Sequence, residues 1–216
     1  MMIKRYTKTE ELWNSWSHVG GIVLGVIFGI IFLYWCFTKD NGWASAGVIL
    51  YLFGMLMSYI ASVTYHALPV GKWKEHLRKW DHAAIYWHIA GSYSPITLLA
   101  LREQGYWGWS LFCFIWACAI AGTVMSFAKL KEHSNLETIC FVGMGLSMLV
   151  AFKPLIDNVS TAAIVWIIAE GVSYITGALF YSLRKRRYMH TVFHFFVLIG
   201  SVCHLIAVWE VLMQYV

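Results

Sequence analysis

Charge is what this 216-residue chain has least of. Asp, Glu, Lys and Arg make up 12% of it, about half the share found in soluble domains. Proline occurs only three times, so little stands in the way of long helices. No low-complexity tract or Gly/Ser-rich linker divides the sequence, and 1–216 reads as one domain. The five cysteines, Cys36, Cys113, Cys118, Cys140 and Cys203, show no CxxC spacing and all lie in apolar stretches. They read as small apolar residues rather than disulfide partners or metal ligands. Against these scarcities, 60% of the residues are hydrophobic, more than a water-soluble fold of this length could hide.

The uncharged runs turn that excess into an architecture. Residues 12–38, 41–71, 82–101, 104–128 and 188–209 contain no Asp, Glu, Lys or Arg, and each can cross a hydrocarbon core, which takes about 20 helical residues. Two further stretches are weaker: 136–152 is short, and 161–183 carries Glu170. Counting both predicts an all-α integral membrane protein, a bundle of seven transmembrane helices. Their approximate spans are 15–37, 43–66, 82–101, 106–127, 136–152, 160–183 and 189–212.

Basic residues test the count. With seven spans, Lys4, Arg5, Lys8, Lys72, Lys74, Arg78, Lys79, Lys129, Lys131 and the run Arg184, Lys185, Arg186, Arg187 share one side. Only Lys39, Arg102 and Lys153 fall on the other. That bias places the N-terminus in the cytoplasm and the C-terminus outside. The net charge of +5 then reflects orientation and anionic headgroups, not nucleic acid. The first span is too long and starts too polar for a cleaved signal peptide. The longest loop is expected at 68–80, with external turns at Asn41-Gly42 and from Lys153-Pro154 to Asn158. Gly20, Gly21, Gly25, Gly143 and Gly145 read as close-packing positions. Trp43, Trp80, Tyr106, Trp107, Trp109 and Trp209 fit an aromatic belt.

Topology also brings distant polar residues to one depth. His66 ends the second span, Asp81 opens the third, and Asn14 and His18 lie early in the first. His190 and His194 lie in the first turns of the seventh, four residues apart and so on one helix face. Polar groups in one leaflet are costly unless they face the bundle interior. Three histidines from two helices with an open position describe a catalytic-type zinc site, with His66, His190 and His194 as ligands. Asp81 is the group to orient or deprotonate a bound water. Ser62, one turn from His66, can donate a hydrogen bond to substrate or to Asp81. Asn14 and His18 serve as supporting or substrate-positioning groups. Singly, Ser62 and Asn14 are as well explained by helix–helix hydrogen bonds, and Asp81 by a helix cap.

These residues carry a resemblance. Glu11-Leu-Trp-Asn14-Ser-Trp-Ser-His18 resembles the E-x-x-N-x-x-x-H entry motif of the haemolysin III and progestin and adipoQ receptor (PAQR) family, and Ser62-Val-Thr-Tyr-His66 its S-x-x-x-H. The stretch from Asp81 to Gly91-Ser92 is similar to the family's Asp-initiated helix, and His190-Thr-Val-Phe-His194 to its final H-x-x-x-H. The short termini look like the bacterial haemolysin III branch. The resemblance implies seven helices, zinc on the counterparts of His66, His190 and His194, and Asp81 near the metal through water. It implies hydrolysis of a lipid amide, as in the related alkaline ceramidases, and a role in lipid homeostasis at the bacterial cytoplasmic membrane.

The expected function is therefore zinc-dependent hydrolysis of a lipid amide or ester, with a membrane lipid as substrate or ligand. A non-enzymatic sensor with a structural zinc is the alternative, and a haemolysin-type pore has less support, since the outer halves offer few polar residues. Glu170 could be protonated, paired with His88 or His204, or part of an ion path. Asp81, His88 and Ser92 form a stripe that suits either a cavity wall or helix–helix contacts. His204 lies about 15 Å beyond His194, too far to share its ion. His76, His82 and His133 read as solvated.

Overall fold

The computed structural model describes residues 6–128 and 136–216, with no strand among them. Lys4, Arg5, Lys129, Lys131 and His133 lie outside the described residues. Helices α1 (Lys8–Thr38), α2 (Gly42–Ala67), α3 (Lys72–Leu99) and α4 (Trp107–Ala128) follow one another through short connections. Helix α5 (Leu136–Leu146) continues through a 3₁₀ segment, Ser147–Ala151, into α6 (Phe152–Asn158). Helices α7 (Thr161–Ser182) and α8 (Met189–Tyr215) complete the chain. Neighbouring contacts close a ring in the order α1, α2, α3, α4, α5, α7, α8 and back to α1.

This is a multi-pass membrane protein. Helices α1, α2, α4, the α5–α6 run, α7 and α8 are each long and apolar enough to cross a bilayer. Large apolar side chains such as Ile30, Tyr34 and Val150 stand on the outside, as lipid contact requires. Helix α3 is different. Its 28 residues reach about 42 Å, but it is too polar to count by composition. It is packed by α2, α4, α5 and α8, so from Asp81 onward its side chains are mostly buried against other helices.

Local chemistry sets the helix ends. Thr7 and Glu10 form a capping box at the start of α1. Glu10 Oε1 also accepts from the Tyr188 N–H at 2.9 Å, where Tyr188 takes a left-handed φ of 60° just before α8. At the opposite end, Asn41 caps α2 and donates through Nδ2 to the Tyr215 carbonyl of α8. Apolar clusters led by Phe32, Val48, Leu205 and Leu212, and by Ile96, Leu101, Leu111 and Val211, fill that half. The polar site occupies the other.

Helices α2 and α3 approach most closely at glycine. A Cβ on Gly54 would overlap the Trp87 carbonyl oxygen, and one on Gly91 would sit 2.8 Å from the Leu50 carbonyl. Gly21 and Gly25 are packed by Tyr59 and Leu56, as their position in the sequence suggests. Gly143 and Gly145 are not: nothing lies within 4 Å of an added Cβ, so their expected packing role is corrected.

Three other expectations need correction. The loop at 68–80 is mostly helix, because α3 starts at Lys72, directly after the breaking pair Pro69 and Gly71. The turn expected from Lys153 to Asn158 is helix α6, and the chain turns at Val159 and Ser160 instead. Pro154 is tolerated because it stands in the first turn, where its missing N–H has no helical acceptor. His82 is not solvated: its side chain is 15% exposed, with Nε2 3.2 Å from the Tyr181 hydroxyl.

Candidate metal centre

Helix α2 delivers His66 from its last turn, and α8 delivers His190 and His194 from its first two. His190 Nε2 lies 3.3 Å from His66 Nε2 and 3.0 Å from His194 Nε2. All three histidines are buried, and their ligand nitrogens fall within 4.8 Å of one another.

The partners of the other ring nitrogens fix two tautomers. His66 Nδ1 is 2.6 Å from Glu11 Oε2. An ionised carboxylate only accepts, so Nδ1 carries the proton and Nε2 is left with a lone pair. His194 Nδ1 lies 3.2 Å from the Asn14 carbonyl oxygen, another pure acceptor, with the same result. Two lone pairs thus converge on His190 Nε2, which can give a proton to only one of them. Hydrogen bonding leaves nitrogen facing nitrogen in a buried space. A cation removes the conflict: tetrahedral ligation at about 2.0–2.1 Å puts ligand nitrogens about 3.3 Å apart. The residues present fit a metal ion.

A surrounding layer holds the ligands. Glu11 Oε1 accepts from Lys74 Nζ at 2.7 Å, and Lys74 also donates to the Leu68 carbonyl at 2.9 Å. Asn14 Oδ1 accepts from the Thr191 hydroxyl at 2.7 Å, which ties α1 to α8. Asn14 Nδ2 stands 3.4 Å from His66 Nδ1, but that nitrogen already donates to Glu11, so the approach is packing. His18 stacks on His194 with ring centroids 3.9 Å apart, and Tyr6 stacks on His190 at 5.0 Å.

A cavity of about 200 Å³ opens from His190 and His194, lined chiefly by α3, α5, α7 and α8. Asp81 and Ser62 both line it. Asp81 stands outside the three-nitrogen cluster, with Oδ2 3.9 Å from His82 Nδ1. The buried Ser62 hydroxyl has no protein partner, so it does not bond Asp81. His88 and Ser92 also line the cavity, and the α3 stripe is therefore a cavity wall. Glu170 pairs with His204, not His88.

Sequence reasoning missed three contributors. Glu11 figured only as the first letter of a motif, although Glu11, Asn14 and His18 share one helix face by spacing. Lys74 was one charge among several in a supposed loop, and nothing in the sequence separates it from Lys72 or Lys79. Thr191 carries no signal beyond lying beside His190.

Fold and site define a class: an all-helical, multi-pass membrane protein with a buried three-histidine cluster able to hold a metal ion. The family model described as Haemolysin-III related matches residues 6–205, and the chain belongs to that haemolysin III family. It is 34% identical over 194 residues to "Hemolysin-3" of Bacillus cereus, covering 89% of this chain and 87% of that one. Similarity to "Hemolysin-3 homolog" of Bacillus subtilis (strain 168) is 31% over 196 residues, 91% of each chain. The human "Monocyte to macrophage differentiation factor" is 28% identical over 221 residues, covering 96% of this chain and 87% of the relative.

Proposed function

We propose that this protein is a seven-span, zinc-dependent hydrolase of a lipid amide or ester bond in the bacterial cytoplasmic membrane, with its N-terminus in the cytoplasm. The observation that carries the reading is the convergence of three imidazole Nε2 atoms beside a cavity that also holds Asp81 and Ser62. A zinc ion bound there would supply a Lewis acid for the carbonyl and a water whose pKa falls to about 7.

The chain's own residues do the rest. Asp81, in the cavity but outside the ligand cluster, accepts the proton of the attacking water and returns it to the leaving group. Ser62, with its hydroxyl uncommitted, donates to the oxygen on which negative charge develops. Glu11 and the Asn14 carbonyl hold His66 and His194 in the tautomer whose Nε2 faces the site. The apolar walls of Ile85, Ile89 and Phe193 take the acyl chain. A purely structural clamp needs a closed shell of protein ligands. Among the described residues no fourth ligand joins the three histidines, which favours an open position.

The test is metal content of the purified, detergent-solubilised protein beside His190→Ala and Asp81→Ala. About one zinc per chain, lost in His190→Ala and kept in Asp81→Ala, is the expected result. Asp81→Ala should then lose hydrolysis of lipid amides or esters while keeping its metal. No metal in the wild type even after zinc is added back would sink the mechanism. Metal without turnover on any such lipid would leave the sensor reading.

A further inference from the structure

The far end of the cavity holds a second polar cluster that the chemistry above does not use. Ten residues beyond His194, about 15 Å along α8, His204 Nδ1 lies 2.7 Å from Glu170 Oε2 of α7. Both residues line the cavity that begins at His190 and His194. His204 is 2% exposed, and its Nε2 has no partner. The Tyr51 ring packs edge-on against His204 with centroids 4.8 Å apart, and its hydroxyl is likewise buried without a partner. Between the two polar ends the walls are mostly apolar, with Ile85, Ile89, Ile167 and Ile175 among them.

A plain hydrocarbon tail does not suit this shape. It would bring its methyl end against a carboxylate–imidazole pair and leave buried polar groups unpaired, which is unfavourable. The unpaired groups themselves select the complement. With the His204 Nδ1 proton given to Glu170, Nε2 accepts; with the proton arrangement reversed, Nε2 donates. A hydroxyl both donates and accepts, so it satisfies His204 in either state. A second carboxylate would be repelled by Glu170, and an ammonium offers no lone pair to His204 when Nε2 donates.

We infer that Glu170 and His204 form a subsite for a hydroxyl carried on the apolar chain of an amphiphile whose polar head lies at His190 and His194. The separation of about 15 Å corresponds to about twelve carbon–carbon bonds of extended chain. This subsite concerns binding alone and requires neither a metal nor turnover.

The experiment compares ω-hydroxydodecanoate with dodecanoate for displacement of a fluorescent fatty acid from the purified protein. The readout is the ratio of the two affinities, because a hydroxyl alters partition into detergent equally for every variant. One added buried hydrogen bond should make the ratio about tenfold larger in the wild type than in His204→Phe, which keeps an aromatic side chain there but has no ring nitrogen. Glu170→Gln should lower the ratio in the same direction, and it carries the test if His204→Phe does not fold. Moving the hydroxyl four carbons toward the carboxylate should abolish the preference. A ratio unchanged between wild type and the folded variants, or indifferent to hydroxyl position, overturns the subsite. His190→Ala should weaken both ligands together and keep the ratio. Failure of the metal reading therefore appears in absolute affinities, and failure of this one appears in the ratio.

Discussion

The residue that does most beyond the three histidines is Glu11. One carboxylate oxygen fixes the His66 tautomer at 2.6 Å and the other is held by Lys74 at 2.7 Å. Outer partners of this kind usually change metal affinity by about 10–100-fold when removed. Glu11→Gln should weaken zinc binding by that factor yet keep one ion per chain at saturation, as a chelator-competition titration would read. Equal affinity in both proteins would mean that Glu11 only packs. Lys74 calls for a different measurement. Lys74→Met leaves the Glu11 charge short of its cation, at a cost of about 2–3 kcal/mol, moderated by the 20% exposure of the Glu11 side chain. Adding Glu11→Gln to Lys74→Met should recover part of that stability, and a melting comparison without any recovery would show that the pair is not coupled. The histidine trio was legible in the sequence because helical spacing and shared depth are one-dimensional facts. Lys74 was not, since its partner lies 63 residues away and its neighbours carry the same charge.

Among the elements, α3 shows both the reach and the limit of pattern reading. Its polar stripe of Asp81, His88 and Ser92 was visible at helical spacing, and the structure turns it to the cavity. Its first nine residues read as loop because they are charged and follow Pro69 and Gly71. Charge signals solvent only where no partner waits, and here Lys74 is buried against α1 and the end of α2. The α2–α3 contact sets how tightly His66 and Asp81 are held together. Gly54→Ala forces a Cβ into the Trp87 carbonyl and should destabilise the protein by about 1–3 kcal/mol. Gly143→Ala meets nothing within 4 Å and removes a helix-interior glycine, so it should be neutral or stabilising by up to about 1 kcal/mol. Thermal melts of the two variants side by side would decide; equal melting temperatures would contradict close packing at Gly54.

For the whole molecule, the decisive quantity is the parity of the spans. Six helices qualify by length and apolarity, and an even number would leave both termini on one side. If α3 crosses as well, sheltered by α2, α4, α5 and α8, the number is odd and the termini lie on opposite sides. Two contacts favour the odd count. Glu10 joins the start of α1 to the start of α8, and Asn41 joins the start of α2 to the end of α8. Helices α1 and α8 therefore run the same way, and α2 runs against them. If α1 and α8 both leave the same face, the N-terminus stands on that face and the C-terminus on the other. If so, the charge bias read from the sequence would put that face in the cytoplasm, as proposed above. A reporter active only outside the membrane should work when fused after Val216 and fail when fused before Met1. A fluorescent reporter that matures only in the cytoplasm should do the reverse. Both termini on one side would remove α3 from the bilayer and, with it, the shared depth that brings Asp81 to the histidines.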